Sequence, residues 1–143
     1  MAEQQAGPLT GGCLCGAVRF RLGEMPDWVS YCHCKDCRKA SGAPLAVFVG
    51  AAAARVSFEG EADPAVHRSS PGVRRSFCPR CGSPIAYQDA RLPETIYFFL
   101  GTLDAPEAFP PRHHAFESQR LPWLRIDDDL PRHARFSALR SDS

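Results

Sequence analysis

The stretch that decides the fold of this chain is YCHCKDCRKASG, residues 31–42, in which three cysteines fall within six positions. In an extended strand, side chains two residues apart share a face, so Cys32 and Cys34 are expected to point the same way. The x-x-C spacing that follows brings Cys37 back toward the same point, as in a zinc knuckle. Three thiolates can therefore converge on one metal ion and leave its fourth tetrahedral position open. An open position is typical of catalytic zinc, whereas structural zinc is normally closed by four protein ligands.

Two further cysteine pairs flank this central cluster. The first is C-L-C between glycines at residues 12–16, and the second is C-P-R-C-G at residues 78–82. The C-P-x-C-G sequence is a zinc-knuckle signal, because its tight turn directs backbone N–H groups at the first sulfur. The natural partition of the seven cysteines is therefore four and three. The predicted closed structural site comprises Cys13, Cys15, Cys78 and Cys81.

The spacing also leaves a second arrangement open. Cys78 and Cys81 could complete a four-sulfur site with two cysteines of the central cluster, which would leave the others as buried thiols. One zinc per chain would favour this exchange, and two would favour the partition into four and three. The odd number of cysteines and the expected reducing compartment disfavour disulfides under either arrangement.

The overall composition indicates a single soluble domain. A chain of 143 residues has the usual length of one domain, and its net charge of +1 gives no field that attracts nucleic acid or an anionic membrane. No apolar run approaches the roughly 20 residues that cross a bilayer. The N-terminus lacks the basic and apolar regions of a signal peptide. We therefore expect a cytoplasmic protein without nucleic-acid or membrane partners.

Thirteen prolines and eleven glycines favour short strands and turns over long helices. The predicted strands cover residues 18–22, 28–32, 45–49, 56–58, 73–77, 85–87 and 95–100. One helical turn is predicted over residues 36–40, and residues 60–72 are predicted to be rich in turns. The predicted fold is mainly β, with one domain over residues 9–133 and loose termini at 1–8 and 134–143.

The sequence favours supporting roles for the histidines over zinc ligation. His33 lies between two predicted ligands on a strand, so alternation turns it away from the metal toward a packing or supporting position. His113 and His114 are isolated in the sequence, which makes a surface or capping role the default. One of them could still reach the open site as an acid–base group.

The predicted chemistry of the open site follows from its three thiolates. Three thiolates on Zn²⁺ give a net charge of −1, which weakens the metal as a Lewis acid for water. Such a site suits a soft incoming ligand, namely a substrate thiol that binds as its thiolate. The coordinated thiolate is then presented to an electrophile such as an aldehyde. The expected reaction is addition of a thiol to a carbonyl, or the reverse carbon–sulfur cleavage.

The distribution of basic residues fits an anionic thiol substrate. The chain has two lysines, Lys35 and Lys39, and both lie in the central cluster beside Arg38. We predict that these three side chains, with His114, contact the substrate. The alternative for the basic residues is that they are simply solvated.

The motifs together resemble a known family. G-G-C-L-C-G-A-V at 11–18, the central stretch at 31–42, F-C-P-R-C-G-S at 77–83 and G-T-L-D at 101–104 occur in its order, followed by His114 and Trp123. The chain resembles the glutathione-dependent formaldehyde-activating enzyme family, which also includes centromere protein V. The resemblance implies a β-tent fold with two Zn²⁺ ions per chain. The structural zinc would be bound by Cys13, Cys15, Cys78 and Cys81, and the catalytic zinc by Cys32, Cys34 and Cys37.

The reaction implied by the resemblance joins glutathione to formaldehyde and gives S-hydroxymethylglutathione, the chemistry of a carbon–sulfur lyase. Two other functions are considered. The first is a non-enzymatic zinc module that binds a macromolecular partner, although the chain has no basic stripe interleaved with aromatic residues. The second is a redox enzyme in which one central cysteine is the nucleophile and the metal is purely structural.

Overall fold

The computed structural model describes residues 9–136, which form ten strands and one α-helix. The strands are β1 (Thr10–Gly12), β2 (Arg19–Leu22), β3 (Trp28–Cys32), β4 (Ala46–Ala52), β5 (Val56–Phe58), β6 (Ala65–Ser70), β7 (Val73–Phe77), β8 (Pro84–Asp89), β9 (Thr95–Phe99) and β10 (His113–Ala115). The helix α1 spans Lys35–Ser41. Single 3-10 turns occupy Ala53–Arg55, Leu100–Thr102, Pro106–Ala108 and Glu117–Gln119. Within these residues, no helix has the length and apolar character needed to span a membrane.

The strands are arranged in two sheets. A three-stranded antiparallel sheet has the order β1-β2-β5, and a seven-stranded sheet has the order β10-β3-β4-β9-β8-β7-β6. Neighbours in the larger sheet are antiparallel, except that β10 runs parallel to β3. The two sheets and the short helical turns confirm the prediction of a mainly β fold of the β-tent type.

The main hydrophobic core fills the space between the two sheets. The alternation predicted for β2 places Phe20 and Leu22 inward, and both side chains are almost completely buried. Phe20 stacks on Phe98 of β9, with ring centroids 4.1 Å apart and planes 19° from parallel. Val49 of β4 and Ile85 of β8 complete this layer and are inaccessible to solvent. Burial of these side chains stabilises the packing of one sheet on the other.

The opposite face of the seven-stranded sheet carries a row of aromatic side chains. The strand register aligns Trp28 with Gly50, Tyr97, Tyr87 and Arg75, on five adjacent strands. A Cβ atom at Gly50 would lie 3.1 Å from the Trp28 ring and 3.3 Å from the Tyr97 ring, so glycine lets those rings meet edge to face. We call the three rings, with the arginine that ends them, the aromatic row.

Three strands, β1, β6 and β10, were not predicted from the sequence. The prediction of turns over residues 60–72 is wrong for Ala65–Ser70, which form β6 at the edge of the larger sheet. Five of its six residues are exposed, so it lacks the apolar alternation that marks a half-buried strand. The parallel strand β10 was also not predicted, because its pairing with β3 joins residues about 80 positions apart.

The boundaries of the helix and of the domain were also predicted from the sequence. Helix α1 is slightly longer than the predicted turn, and Gly42 ends it in the left-handed conformation at φ 74°. Residues 1–8 and 137–143, which are predicted to be loose, lie outside the described residues. The described part of the C-terminal segment is hydrogen-bonded: the Phe116 N–H donates to the Arg135 carbonyl at 2.9 Å. The domain boundary at residue 133 stays a prediction.

Candidate functional site

The first candidate metal centre is a cluster of four cysteines that two separate loops bring together. The Sγ atoms of Cys13, Cys15, Cys78 and Cys81 all lie within 4.8 Å of one another. The Cys15 and Cys78 sulfurs are 3.8 Å apart although 63 residues separate them in the sequence. As expected for a knuckle, the first sulfur of the second pair accepts backbone N–H groups: Cys78 Sγ lies 3.3 Å from the amide nitrogen of Arg80.

Ser83 links the two loops of this four-cysteine cluster. Its Oγ accepts the N–H of Leu14 at 3.0 Å and lies 3.1 Å from Cys81 Sγ. The hydrogen bond from this hydroxyl is the main reason why the pKa of Cys81 is lowered to about 5. Ser83 follows the knuckle directly in the sequence, but its contact with the other loop requires the folded chain.

The second candidate metal centre is the three-cysteine cluster, which one short segment builds. Cys32 ends β3, Cys34 caps the N-terminus of α1 and Cys37 lies in its first turn. The Cys37 N–H donates to Cys34 Sγ at 3.2 Å, and the Cys32 and Cys37 sulfurs are 3.5 Å apart. All three sulfurs lie within 4.8 Å of one another. Hydrogen bonds from the Cys32 and Cys37 thiols hold the pKa of Cys34 well below its usual range.

The donor sets of both clusters suit zinc. Zinc takes thiolate ligands in tetrahedral geometry at about 2.3 Å, which places two sulfurs on one ion roughly 3.8 Å apart. The sulfur–sulfur distances of 3.5 Å, 3.6 Å and 3.8 Å in the two clusters are close to that separation. Among the described residues, the four-cysteine cluster supplies a full tetrahedral set, whereas the other supplies three ligands. The sulfurs are therefore grouped as four and three, rather than exchanged between the clusters.

A cavity of about 400 Å³ opens beside the three-cysteine cluster. All three cysteines line it, so a metal ion bound there would face a space large enough for a small molecule. Aromatic side chains form much of the wall: Trp28, Phe48, Tyr87, Tyr97, Phe116 and Phe136. Two other cavities, one beside Glu117 and one beside Glu24, are lined by residues that do not belong to the four-cysteine cluster.

The predicted substrate-binding residues occupy different positions. Lys35 lines the cavity. Arg38 points elsewhere, since its guanidinium donates to the carbonyl groups of His33 at 2.8 Å and Gln119 at 2.7 Å. Lys39 is exposed on α1 and does not line the cavity. The structure therefore brings one of the three basic residues of the central motif to the cavity.

His114 lies outside the cavity wall and is buried with His33 in a hydrogen-bonded chain. His33 Nε2 and His114 Nδ1 are 2.9 Å apart, and His114 Nε2 lies 3.1 Å from a carboxylate oxygen of Asp128. Burial lowers the pKa of His33, which favours its neutral ring. This series of hydrogen bonds connects the segment between Cys32 and Cys34 to the C-terminal part of the protein. His33 thus points toward His114 rather than toward the three sulfurs.

The two histidines and Glu117 also lie close enough together to hold a metal ion. The rings argue for a direct hydrogen bond instead. Their planes are within 13° of parallel and their centroids are 5.2 Å apart, the separation of two imidazoles placed end to end in one plane. In that arrangement the two nitrogens point at each other, so their lone pairs do not converge on a third point.

Sequence reasoning missed the residues that face the three-cysteine cluster from the sheet. Tyr87 lines the cavity, and its hydroxyl donates to buried Asp89 at 2.8 Å. Burial raises the pKa of Tyr87, which therefore stays protonated at neutral pH. Arg75 lies beside Tyr87, with its guanidinium carbon 5.0 Å from the ring centroid. In the sequence, only the alternation of side chains along β7 and β8 indicated the orientation of Arg75 and Tyr87. Alternation does not indicate which face of the sheet borders the cavity.

Comparison with known proteins agrees with this architecture. The model of the glutathione-dependent formaldehyde-activating enzyme family matches residues 8–119, and the chain belongs to that family. A Halomonas elongata protein, provisionally named a glutathione-dependent formaldehyde-activating enzyme, is 33% identical over 128 residues, which cover 83% of this chain and 81% of the relative. A crystal structure of a Rhodobacter sphaeroides protein superposes with a TM-score of 0.55 at 22% identity, and covers 66% of this chain and 87% of the other. The last likeness concerns the fold alone.

Proposed function

We propose that this protein is a zinc-dependent enzyme that joins a thiol to an aldehyde, or cleaves the same carbon–sulfur bond. The observation that carries the proposal is the placement of three converging cysteine sulfurs on the wall of a small-molecule cavity. Family membership supports glutathione as the thiol and formaldehyde as the aldehyde, with S-hydroxymethylglutathione as the product. The proposed class is carbon–sulfur lyase.

Cys32, Cys34 and Cys37 would hold the catalytic zinc ion. When bound there, zinc supplies a soft Lewis acid that keeps a substrate thiol deprotonated at neutral pH. The four-cysteine cluster would hold a second, structural zinc ion, whose four cysteine ligands leave no coordination position for a substrate. Seven cysteines, all free in the part of the chain that the structure describes, fit a reducing cytoplasmic compartment.

The residues around the cysteines prepare the site for this reaction. The Cys37 N–H directed at Cys34 Sγ fixes that sulfur and favours its thiolate. The aromatic side chains make much of the wall apolar, which lowers the local dielectric constant and strengthens electrostatic interactions beside it. The substrate thiol first gives up its S–H proton to solvent as it binds as the thiolate. The sulfur then forms a bond to the carbonyl carbon, the C=O π bond breaks, and the oxygen takes up a proton. In the reverse reaction the hydroxyl proton is lost, the C–S bond breaks as the C=O π bond forms again, and the thiolate takes up a proton when it leaves as the thiol.

The test is adduct formation from glutathione and formaldehyde, followed by NMR of the hydroxymethyl group. We expect the wild-type protein to accelerate the reaction beyond its spontaneous rate, and Cys34→Ser to return it to that rate. Lys39→Gln is the matched control, since Lys39 lies on the same helix but outside the cavity wall. Equal rates with and without wild-type protein, across a panel of thiols and aldehydes, would contradict the proposal.

A further inference from the structure

The wall of the cavity is better suited to a ring or a branched apolar group than to a peptide. The aromatic row forms one side of it, and the Trp28 and Tyr97 centroids are 5.0 Å apart while those of Tyr97 and Tyr87 are 5.8 Å apart. Phe48 continues this surface, 6.0 Å from Tyr87. Aromatic surfaces of this kind bind apolar groups because apolar surface area is buried on contact. They bind rings through edge-to-face or offset stacking as well. Glutathione, a polar tripeptide, presents little surface of that type.

Arg75 ends the aromatic row and brings to the cavity a positive charge that has no carboxylate partner among residues 9–136. Its guanidinium lies over the Tyr87 ring, and its Nε donates to Ser69 Oγ at 3.3 Å. Its Nη1 is buried and has no hydrogen-bond partner within residues 9–136. A charged group with a donor left unused is costly to bury, so a carboxylate that reaches this guanidinium from the cavity would gain a charge-assisted hydrogen bond.

The other basic groups on the cavity wall differ from Arg75. Arg91 is already paired with Asp89, with 2.7 Å between its Nη2 and a carboxylate oxygen, and it packs over Phe136. Lys35 is exposed on the helix and remains hydrated. Arg75 is therefore the basic residue of the wall that combines partial burial with an unused donor. A planar guanidinium matches the geometry of a carboxylate.

We propose that the cavity selects a thiol with an aromatic or branched apolar body and a carboxylate, the body lying against the aromatic row and the carboxylate on Arg75. That the substrate is a thiol rests on the function proposed above. That it has an apolar body and a carboxylate is inferred from the cavity alone. Arg75 is thus assigned as the residue that determines specificity for an anionic substrate.

The first experiment measures binding without any thiol chemistry. The probe is 3-phenylpropanoate, which has the ring and the carboxylate but no sulfur, and isothermal titration calorimetry gives its Kd for the full-length protein. We expect 3-phenylpropanamide and propanoate each to bind about tenfold or more weakly, as loss of a charge-assisted hydrogen bond or of a buried ring requires. In Arg75→Gln the acid and the amide should bind equally. Arg74→Gln is the matched control, because this neighbour is exposed and does not line the cavity.

Equal affinity of the acid and the amide for the wild-type protein would overturn the proposal. So would an unchanged preference for the acid in Arg75→Gln. That result would mean that Arg75 only offsets the charge of the three sulfurs, in which case the variant would lose zinc affinity instead. Thermal melting of both arginine variants checks that each is folded.

The second experiment compares turnover of 2-mercapto-3-phenylpropanoate and glutathione with formaldehyde. We expect kcat/KM to favour the aromatic thiol about tenfold or more, and Arg75→Gln to remove that preference. Glutathione turnover without binding of 3-phenylpropanoate would overturn this proposal and leave the proposed function intact. Arg75-dependent binding of 3-phenylpropanoate without turnover of any thiol would overturn the proposed function and leave this proposal intact.

Discussion

The two cysteine clusters use the same ligand type in opposite surroundings. The four-cysteine cluster joins two loops far apart in the sequence, and two of its members, Cys15 and Cys81, are exposed. The three-cysteine cluster comes from one short segment, and Cys32 and Cys37 are buried on the wall of a cavity. The first arrangement closes a loop between distant parts of the chain, and the second leaves space for a ligand. In the proposed function, the number of sulfurs and the space beside them, rather than the type of ligand, would separate a structural metal centre from a reactive one.

The largest effect is expected where the four-cysteine cluster is broken. Cys78→Ser removes a fully buried sulfur that accepts two backbone N–H groups. Structural zinc supplies about 10–16 kcal/mol of apparent binding energy to folding. The free energy of unfolding of a typical domain is ~5–15 kcal/mol, so loss of the zinc would remove most or all of it. We expect the variant to lose its cooperative thermal transition, as measured by circular dichroism. A variant with the wild-type Tm would show that this cluster does not stabilise the fold.

The same substitution in the three-cysteine cluster should leave the fold intact. Serine is a preferred N-cap residue, so in Cys34→Ser the new hydroxyl can still accept the N–H of Cys37. We expect a Tm within a few degrees of wild type, which corresponds to about 1 kcal/mol or less. Zinc content, measured by mass spectrometry of metals, should fall from two ions per chain to one. Retention of two zinc ions in this variant would contradict the assignment of Cys34 as a ligand.

A chelator should separate the two metal centres in the wild-type protein. The three-cysteine cluster borders a cavity and supplies three ligands, so a chelator can occupy the remaining position of its metal. We expect the chelator to remove the first zinc ion and abolish activity together, while the far-ultraviolet circular dichroism signal stays unchanged. The second ion should leave only as that signal is lost. Release of both ions in a single phase, together with unfolding, would argue against two distinct centres.

The smallest effect is expected at Ser83, which supports the four-cysteine cluster without being one of its sulfurs. Ser83→Ala removes the acceptor for the Leu14 N–H and the hydroxyl beside Cys81. We expect a loss of about 1 kcal/mol in the free energy of unfolding, or a Tm lower by a few degrees, with unchanged activity. Ser57→Ala is the matched control, because that exposed hydroxyl donates to the Glu59 carboxylate and belongs to neither cysteine cluster. An equal Tm change in both variants would show that Ser83 has no special role.

The grouping of the sulfurs could be predicted from the sequence because each half of a site is local. The C-x-C and C-x-x-C spacings place neighbouring sulfurs together before any tertiary contact forms. The aromatic row could not be predicted, because it depends on the register of five strands. The segment V-R-R-S-F at residues 73–77 does not tell whether Arg74 or Arg75 faces the cavity. Pairing of Arg75 with Tyr87 across β7 and β8 decides it.

The buried histidines illustrate a second limit of sequence reasoning. Alternation correctly indicates that the His33 side chain leaves the face shared by Cys32 and Cys34, but it does not identify the partner. The partner, His114, lies 81 residues away and is brought there by the parallel pairing of β10 with β3. No local sequence pattern predicts that so short a strand pairs in parallel. The pairing depends on the long connection that brings the chain back to the edge of the sheet formed by β3.

That parallel strand also sets an order of assembly during synthesis. The four cysteines of the first cluster have all been synthesised once the chain reaches Cys81. The strand that ends in Cys32 gains its outer neighbour only when His113–Ala115 have left the ribosome, and the His114 carbonyl then accepts the N–H of His133. Because translation delivers the chain from its N-terminus, all four of these cysteines are available while the cavity wall, which includes Ala115 and Phe116, is still incomplete. A truncated or stalled nascent chain would therefore carry the cysteines of the first cluster without a complete cavity.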